Sequence, residues 1–228
     1  MDKTIKLQQG AGQEGFSLLE LIVSMTIILM LLGIVSSLFG GALAVRSRES
    51  RRTDALTSAQ AALNILSREI ANSGFGIYDN DVTQTANNGL ILADSNDTRI
   101  HFRANVLNAG PITAPVGSTV LSTNLAGEDV TYSFDSATDS IIRYDPNGNP
   151  QTSVVVNRIS DVRFQYFDYI GSSSTPIGPL TVPTTDTARI RITVTVRLEP
   201  VIGQPDNQVV TFSSEVTLRN ANFMLQQY

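Results

Sequence analysis

The sequence predicts an α+β chain: one long N-terminal helix, its first half of membrane-spanning length and its second half packed on an antiparallel β-sheet head. Three observations predict it. Ser17 to Val45 form a 29-residue stretch with a single charged member, Glu20. Beyond it, Leu56, Ala59, Leu63, Leu66 and Ile70 recur at spacings of three and four, the period of one helix face. From Gly74 onward the chain breaks into short β-branched and aromatic runs separated by Asn, Asp, Gly and Pro, the texture of strands joined by turns.

Residues 1–15 are a short polar leader in which Lys3 and Lys6 are the only cations, and Gly15 stands immediately before Phe16. A leader of this kind invites a processing reading. The apolar segment that follows exceeds the roughly 20 residues that cross a bilayer. Its apolar residues run all round the helix, so every face seeks lipid or a helix bundle. Glu20 is the exception within it. A carboxylate there is costly to bury and marks a functional position. Nothing basic lies within one helical turn, so its partner is a chain terminus or another molecule. A rival reading takes the segment as a secretory signal or plain anchor of a β-rich binding or adhesion domain, with Ala42-Leu43-Ala44 as an A-x-A cleavage site. The length of the segment and the interruption by Glu20 argue against a signal.

Arg46, Arg48, Arg51 and Arg52 follow the apolar stretch directly and read as an interfacial collar for lipid phosphates. Counted alone, four arginines here against two lysines in the leader place the C-terminal part inside the cell. No proline precedes Pro111, so Ser17 to Ser73 is expected as one nearly continuous helix of 57 residues, about 85 Å at 1.5 Å per residue. Ser73-Gly74 supplies its stop, and Gly33, Gly40 and Gly41 are its expected soft points.

In the head, the expected strands are Leu90 to Leu92, Arg99 to Val106, Val130 to Phe134, Ser140 to Tyr144, Val154 to Val156, Val162 to Phe167, Ala188 to Leu198 and Val209 to Leu218. Asp135 to Asp139 joins two of them as a hairpin turn. Ile190, Ile192, Val194 and Val196 alternate with Arg191, Thr193 and Thr195, the pattern of a half-buried strand. Asp145 to Pro150 is a turn, and Gly171 to Thr187 reads as a mobile loop. Strands without intervening helices imply antiparallel pairing.

Composition excludes several classes. With 42% hydrophobic residues among 228 the chain is not disordered, and with no cysteine it has no disulfide, thiolate nucleophile or Cys-ligated metal. Net charge is −5 overall. Beyond Arg52, ten arginines face seventeen Asp and Glu, a balance of −7, which argues against a broad nucleic-acid surface. Arg189, Arg191 and Arg197 share strand parity, and the favoured reading is paired or solvated arginines on a sheet rather than a basic stripe. His101, the single histidine, sits in a strand-like context and reads as structural. Asp79-Asn80-Asp81, Asp94 and Asp97 carry oxygen donors but lack the spacing of a calcium loop, and read as solvated turns. No nucleotide-binding, nucleophile-elbow or zincin motif occurs. The expectation is a non-enzymatic chain with no cofactor, metal or catalytic residue.

Gly15-Phe16-Ser17-Leu18-Leu19-Glu20-Leu21-Ile22-Val23 resembles the N-terminal cleavage and methylation motif of type IV pilins and type II secretion pseudopilins. Arg68 to Gly76, Ile159 to Tyr166 and Phe212 to Asn220 are similar, in order along the chain, to PilW-type minor pilins and GspJ-type pseudopilins. The resemblance implies a pilin-like fold and a domain order of cleaved leader (1–15), transmembrane and assembly helix (16–45), amphipathic second half (46–74) and β-rich head (75–228). It implies that prepilin peptidase cuts between Gly15 and Phe16 and N-methylates Phe16, and that Glu20 pairs with a neighbouring subunit's N-terminus. Implied partners are that peptidase, other minor subunits and the major subunit, the inner-membrane assembly platform and membrane lipid. The leader is then cytoplasmic and the head periplasmic, which takes precedence over the arginine count. The chain lacks both the proline that many pilins carry in the apolar half and the cysteines that close a C-terminal loop in many major pilins, a departure that leans toward a minor subunit.

Overall fold

In a computed structural model of the protein, residues 15–77, 88–107, 123–171, 173–198 and 208–225 are described. The chain divides into two compact units at Glu49/Ser50. Helix α1, Leu18–Ile70, supplies the described helix of the first and enters the second. Eight strands follow: β1 (Arg99–Arg103), β2 (Asp129–Asp135), β3 (Ser140–Tyr144), β4 (Thr152–Asn157), β5 (Asp161–Asp168), β6 (Ile177–Leu180), β7 (Thr187–Arg197) and β8 (Val209–Thr217), with a short helix α2 (Asn222–Leu225) at the end. The α+β class and the antiparallel pairing match the expectation.

α1 ends three residues before the expected Ser73. The Ser73 amide bonds back to the Ile70 carbonyl at 3.0 Å, tightening the last turn. Gly74 then adopts φ 78°, a region open to glycine, and its amide donates to the Arg103 carbonyl at 2.9 Å, tying the helix end to β1. α1 passes through Gly33, Gly40 and Gly41 without interruption.

The strands divide between two four-stranded sheets, β1-β2-β3-β4 and β6-β5-β7-β8. The first is a meander whose β2-β3 hairpin turns at residues 136–139, as the sequence predicts, with Asp139 at φ 49°. The second is built on β5 and β7, paired from Asp161↔Thr195 to Asp168↔Thr187. The alternation read in β7 holds: Ala188, Ile190, Ile192, Val194 and Val196 are buried and the intervening residues are not. The Asp97 carbonyl accepts the Phe164 amide at 2.7 Å, linking the loop before β1 to the second sheet.

One apolar cluster fills the second unit. Ala55, Ala59, Ala62, Leu63, Leu66 and Ile70 of α1 join Ile100, Tyr132, Ile141, Phe164, Tyr166, Ile190 and Ile192 from both sheets. Leu56, expected on this face, is only half-buried, and Ala55 and Ala62 take its place.

Three strand expectations need correction. Leu90 to Leu92 is not a strand: Leu90 makes one bridge to Phe102, and a 3₁₀ turn covers Leu92–Asp94. Pairing with β1 runs only from the Gly89 carbonyl, which accepts the Arg103 amide at 2.8 Å, to the Ile91 amide, which donates to the His101 carbonyl at 2.9 Å, and the 3₁₀ turn then ends it. Arg99 to Val106 stops at Arg103, because the next amides, Ala104 and Asn105, bond to Glu128 and Phe75 carbonyls outside any ladder. The expected loop 171–187 contains strand β6, held against β5 through Tyr166↔Leu180 and Asp168↔Ile177. Its Gly-Pro pair reads as a turn in sequence, yet proline is allowed on a sheet edge, where its missing donor is not needed.

Candidate functional site

The motif residues sit at the start of α1. Gly15, Phe16 and Ser17 precede the helix, and the Ser17 carbonyl accepts the Leu21 amide at 3.1 Å. Phe16 is 83% exposed. Gly15 has no positive φ, and a Cβ built on it meets nothing within 4 Å. Among the described residues, neither backbone conformation nor packing accounts for glycine there. Glu20 lies in the first turn of α1, where a carboxylate is favoured by the helix dipole. It is exposed, and among the described residues no cation pairs with it.

From Phe16 to Val45 every large apolar side chain is at least 50% exposed. Among the described residues α1 is the one helix long and apolar enough to cross a membrane. Two of its hydroxyls bond back to the helix: Ser24 donates to the Glu20 carbonyl at 2.7 Å and Thr26 to the Ile22 carbonyl at 2.8 Å. Back-bonding of this kind leaves no polar group of either side chain seeking water. The four collar arginines follow on the same helix, with Arg48 3.5 Å from Glu49. Ala42-Leu43-Ala44, the rival cleavage site, lies inside α1.

In the head, several titratable groups are engaged with one another. His101 lies between two carboxylates, Nδ1 2.8 Å from Asp94 and Nε2 2.5 Å from Asp129. Arg103 donates to Asp129 at 2.9 Å and Arg99 to Asp94 at 3.0 Å. Burial works to raise the Asp129 pKa, but the hydrogen bond from His101 and the charge of Arg103 outweigh it and hold the carboxyl below its ordinary value. Asp145, nearly fully buried, accepts the Gly127 and Asn147 amides at 2.6 and 3.0 Å and faces Arg143 at 3.3 Å. Arg143 also reaches Glu69 of α1 at 3.2 Å. Arg189 and Arg191 share Glu215 at 3.1 and 2.6 Å, and both guanidinium groups lie over the Phe167 ring. They are paired arginines, as the sequence favours. Asp94 and Asp97 lie in turns with side chains 40% and 39% exposed, and each also pairs with an arginine, Asp94 with Arg99 and Asp97 with Arg163. Asp79-Asn80-Asp81 lies outside the described residues. Among those described, no group of three or more His, Asp or Glu side chains is arranged to hold a metal ion.

Sequence reading missed the Asp94–His101–Asp129 clip and the buried Asp145. The usable signal was strand parity: Arg99, His101 and Arg103 lie on one face of β1, opposite β2, which opens with Asp129. What parity cannot supply is the register that puts Arg103 across from Asp129.

The comparisons fall on the helix end of the molecule. Residues 10–36 match the model of the prokaryotic N-terminal methylation motif, a span holding Gly15, Phe16 and Glu20. Neither a curated protein nor a solved structure matches the chain. The chain thus carries a type IV pilin-like processing signal at the head of an apolar helix, followed by an antiparallel β head.

Proposed function

We propose that this protein is a structural, non-enzymatic minor pilin or pseudopilin of the PilW or GspJ type. Prepilin peptidase removes residues 1–15 on the cytoplasmic side, between Gly15 and Phe16, and methylates the Phe16 amine. Residues 16–45 hold the subunit in the inner membrane and then pack in a pilus or a type II secretion pseudopilus. Residues 46–74 continue into the head, 75–228, on the periplasmic side. The observation that carries the reading is the methylation motif on residues 10–36, which runs into a helix half whose large apolar side chains are all exposed.

Glu20 then has a defined task. In an apolar surrounding its carboxylate is costly alone and strongly favoured beside a cation. Cleavage creates that cation, the Phe16 ammonium of a neighbouring subunit. The pair sets register as a subunit docks. The collar arginines meet lipid phosphates before assembly. Other minor subunits, the major subunit and the inner-membrane platform are the expected partners.

The test is Glu20→Ala in the native host, with membrane and filament fractions measured separately. The expected outcome is an unchanged membrane level and loss of the subunit from the filament. Equal incorporation of Glu20→Ala would overturn the role of Glu20, and absence of the unaltered chain from the filament fraction would instead favour an anchored β-rich binding domain.

A further inference from the structure

We infer that Asn96 is an acceptor for N-linked glycosylation. Asn96-Asp97-Thr98 is the one Asn-x-Ser/Thr triplet in the chain, and its middle residue is not proline. Asp94 adds an acidic side chain two positions before the asparagine, the extended pattern that bacterial oligosaccharyltransferases read. The inference rests on the proposed periplasmic placement of the head, because lipid-linked glycan donors face that side.

The fold presents this triplet as an acceptor. Asn96 is exposed, in the loop between the 3₁₀ turn and β1. Its Oδ1 accepts three hydrogen bonds, from the Thr98 amide at 2.9 Å, the Thr98 hydroxyl at 3.1 Å and the Arg99 amide at 3.0 Å. Two of these donors are backbone N–H groups, which fixes the oxygen on that side and leaves Nδ2 on the other. Among the described residues Nδ2 makes no hydrogen bond. Main-chain contacts hold the loop in place: the Asn96 amide donates to the Arg99 carbonyl at 2.8 Å, and the Tyr166 hydroxyl donates to the Asn96 carbonyl at 2.8 Å. The Asp94 side chain is 40% exposed although paired, so a transferase reaches it.

The chemistry follows from that geometry. Three donors on Oδ1 stabilise the negative charge the amide acquires when Nδ2 gives up a proton, so Nδ2 becomes the nucleophile. Nδ2 forms a bond to C1 of the reducing-end sugar of a polyprenyl-diphosphate glycan. The C1–O bond to the diphosphate breaks, polyprenyl diphosphate leaves, and the amide proton passes to a base of the transferase. The Thr98 hydroxyl is essential in this arrangement.

The experiment expresses the full chain in a bacterial host carrying a polyprenyl-diphosphate oligosaccharide and an oligosaccharyltransferase, and maps the tryptic peptide 69–99 by mass. A parallel fusion with alkaline phosphatase after Tyr228 reports the side on which the head lies. The expected result is a glycan mass on Asn96, abolished by Asn96→Gln and by Thr98→Val and retained by Thr98→Ser and Asp94→Glu. An active phosphatase with unmodified Asn96 would overturn the inference while leaving the proposed topology intact. An inactive phosphatase would overturn the topology, and the inference with it.

Discussion

The two halves of α1 share one backbone pattern and obey opposite rules for their side chains. In the second half, a stripe from Ala55 to Ile70 is buried against the sheets while Asp54, Gln60 and Arg68 stay in water. In the first half no face is buried, and every large apolar side chain from Phe16 to Val45 is at least 50% exposed. An amphipathic helix completes its burial within its own chain. A helix apolar all round completes it only with something else, whether lipid or other helices. Accordingly Ala55, Ala59 and Ala62 lie in the buried stripe beside Leu63, Leu66 and Ile70, while the leucines, isoleucines and methionines of the first half have no partner in the chain.

The largest expected effect that sharpens this contrast is a pair of equal truncations. Leu66 is fully buried, so Leu66→Ala is expected to destabilise the head by about 2–5 kcal/mol. Leu31→Ala, in the exposed half, is expected to leave head stability within about 0.5 kcal/mol. Denaturant unfolding of both variants in the same detergent measures the difference. Comparable losses would break the distinction between the halves.

A smaller effect separates the two buried tyrosines of the head. The Tyr166 hydroxyl donates to Asn96, whereas the Tyr132 hydroxyl is buried without a hydrogen-bond partner. Tyr166→Phe is therefore expected to cost about 0.5–1.5 kcal/mol and Tyr132→Phe to be neutral or stabilising. Burial, helped by the Glu69 carboxylate at Tyr132 and by Asp97 at Tyr166, pushes both phenols far above their ordinary value of 10.0. The unfolded chain therefore releases these protons first. Their contribution to stability is full below pH 10 and falls as pH rises beyond it, and the double Phe variant flattens that limb. The apolar half of α1 has no tyrosine, so the alkaline loss belongs to the head alone. The smallest effect is at the surface: Arg191→Gln breaks an exposed pair with Glu215 and is expected to change head stability by less than about 1 kcal/mol.

The helix was legible because its information is local. A 29-residue apolar run and a three-four spacing need no knowledge of partners, and Gly74 marks the end by the conformation it alone tolerates freely. Most strands were legible for the same reason, β7 by alternation and β2-β3 by the turn between them. The division into two sheets was not, since it depends on which strand meets β5, and β6 hid behind Gly178 and Pro179. The site divides likewise. Gly15, Phe16 and Glu20 were readable as a short motif, whereas the clip around His101 depends on register between β1 and β2 and on a loop placing Asp94 beside them. Local pattern reveals elements and processing signals, and cross-strand geometry reveals the polar core.

The central claim is that the exposed half of α1 begins, in the mature protein, at Phe16. Intact mass and N-terminal sequencing of protein purified from membranes of a competent host test it most directly. The account predicts a chain that starts at Phe16 and carries one added methyl group. A chain starting at Val45, after Ala42-Leu43-Ala44, would make the apolar half a discarded signal, and one starting at Met1 would make it a plain anchor; either result contradicts the account.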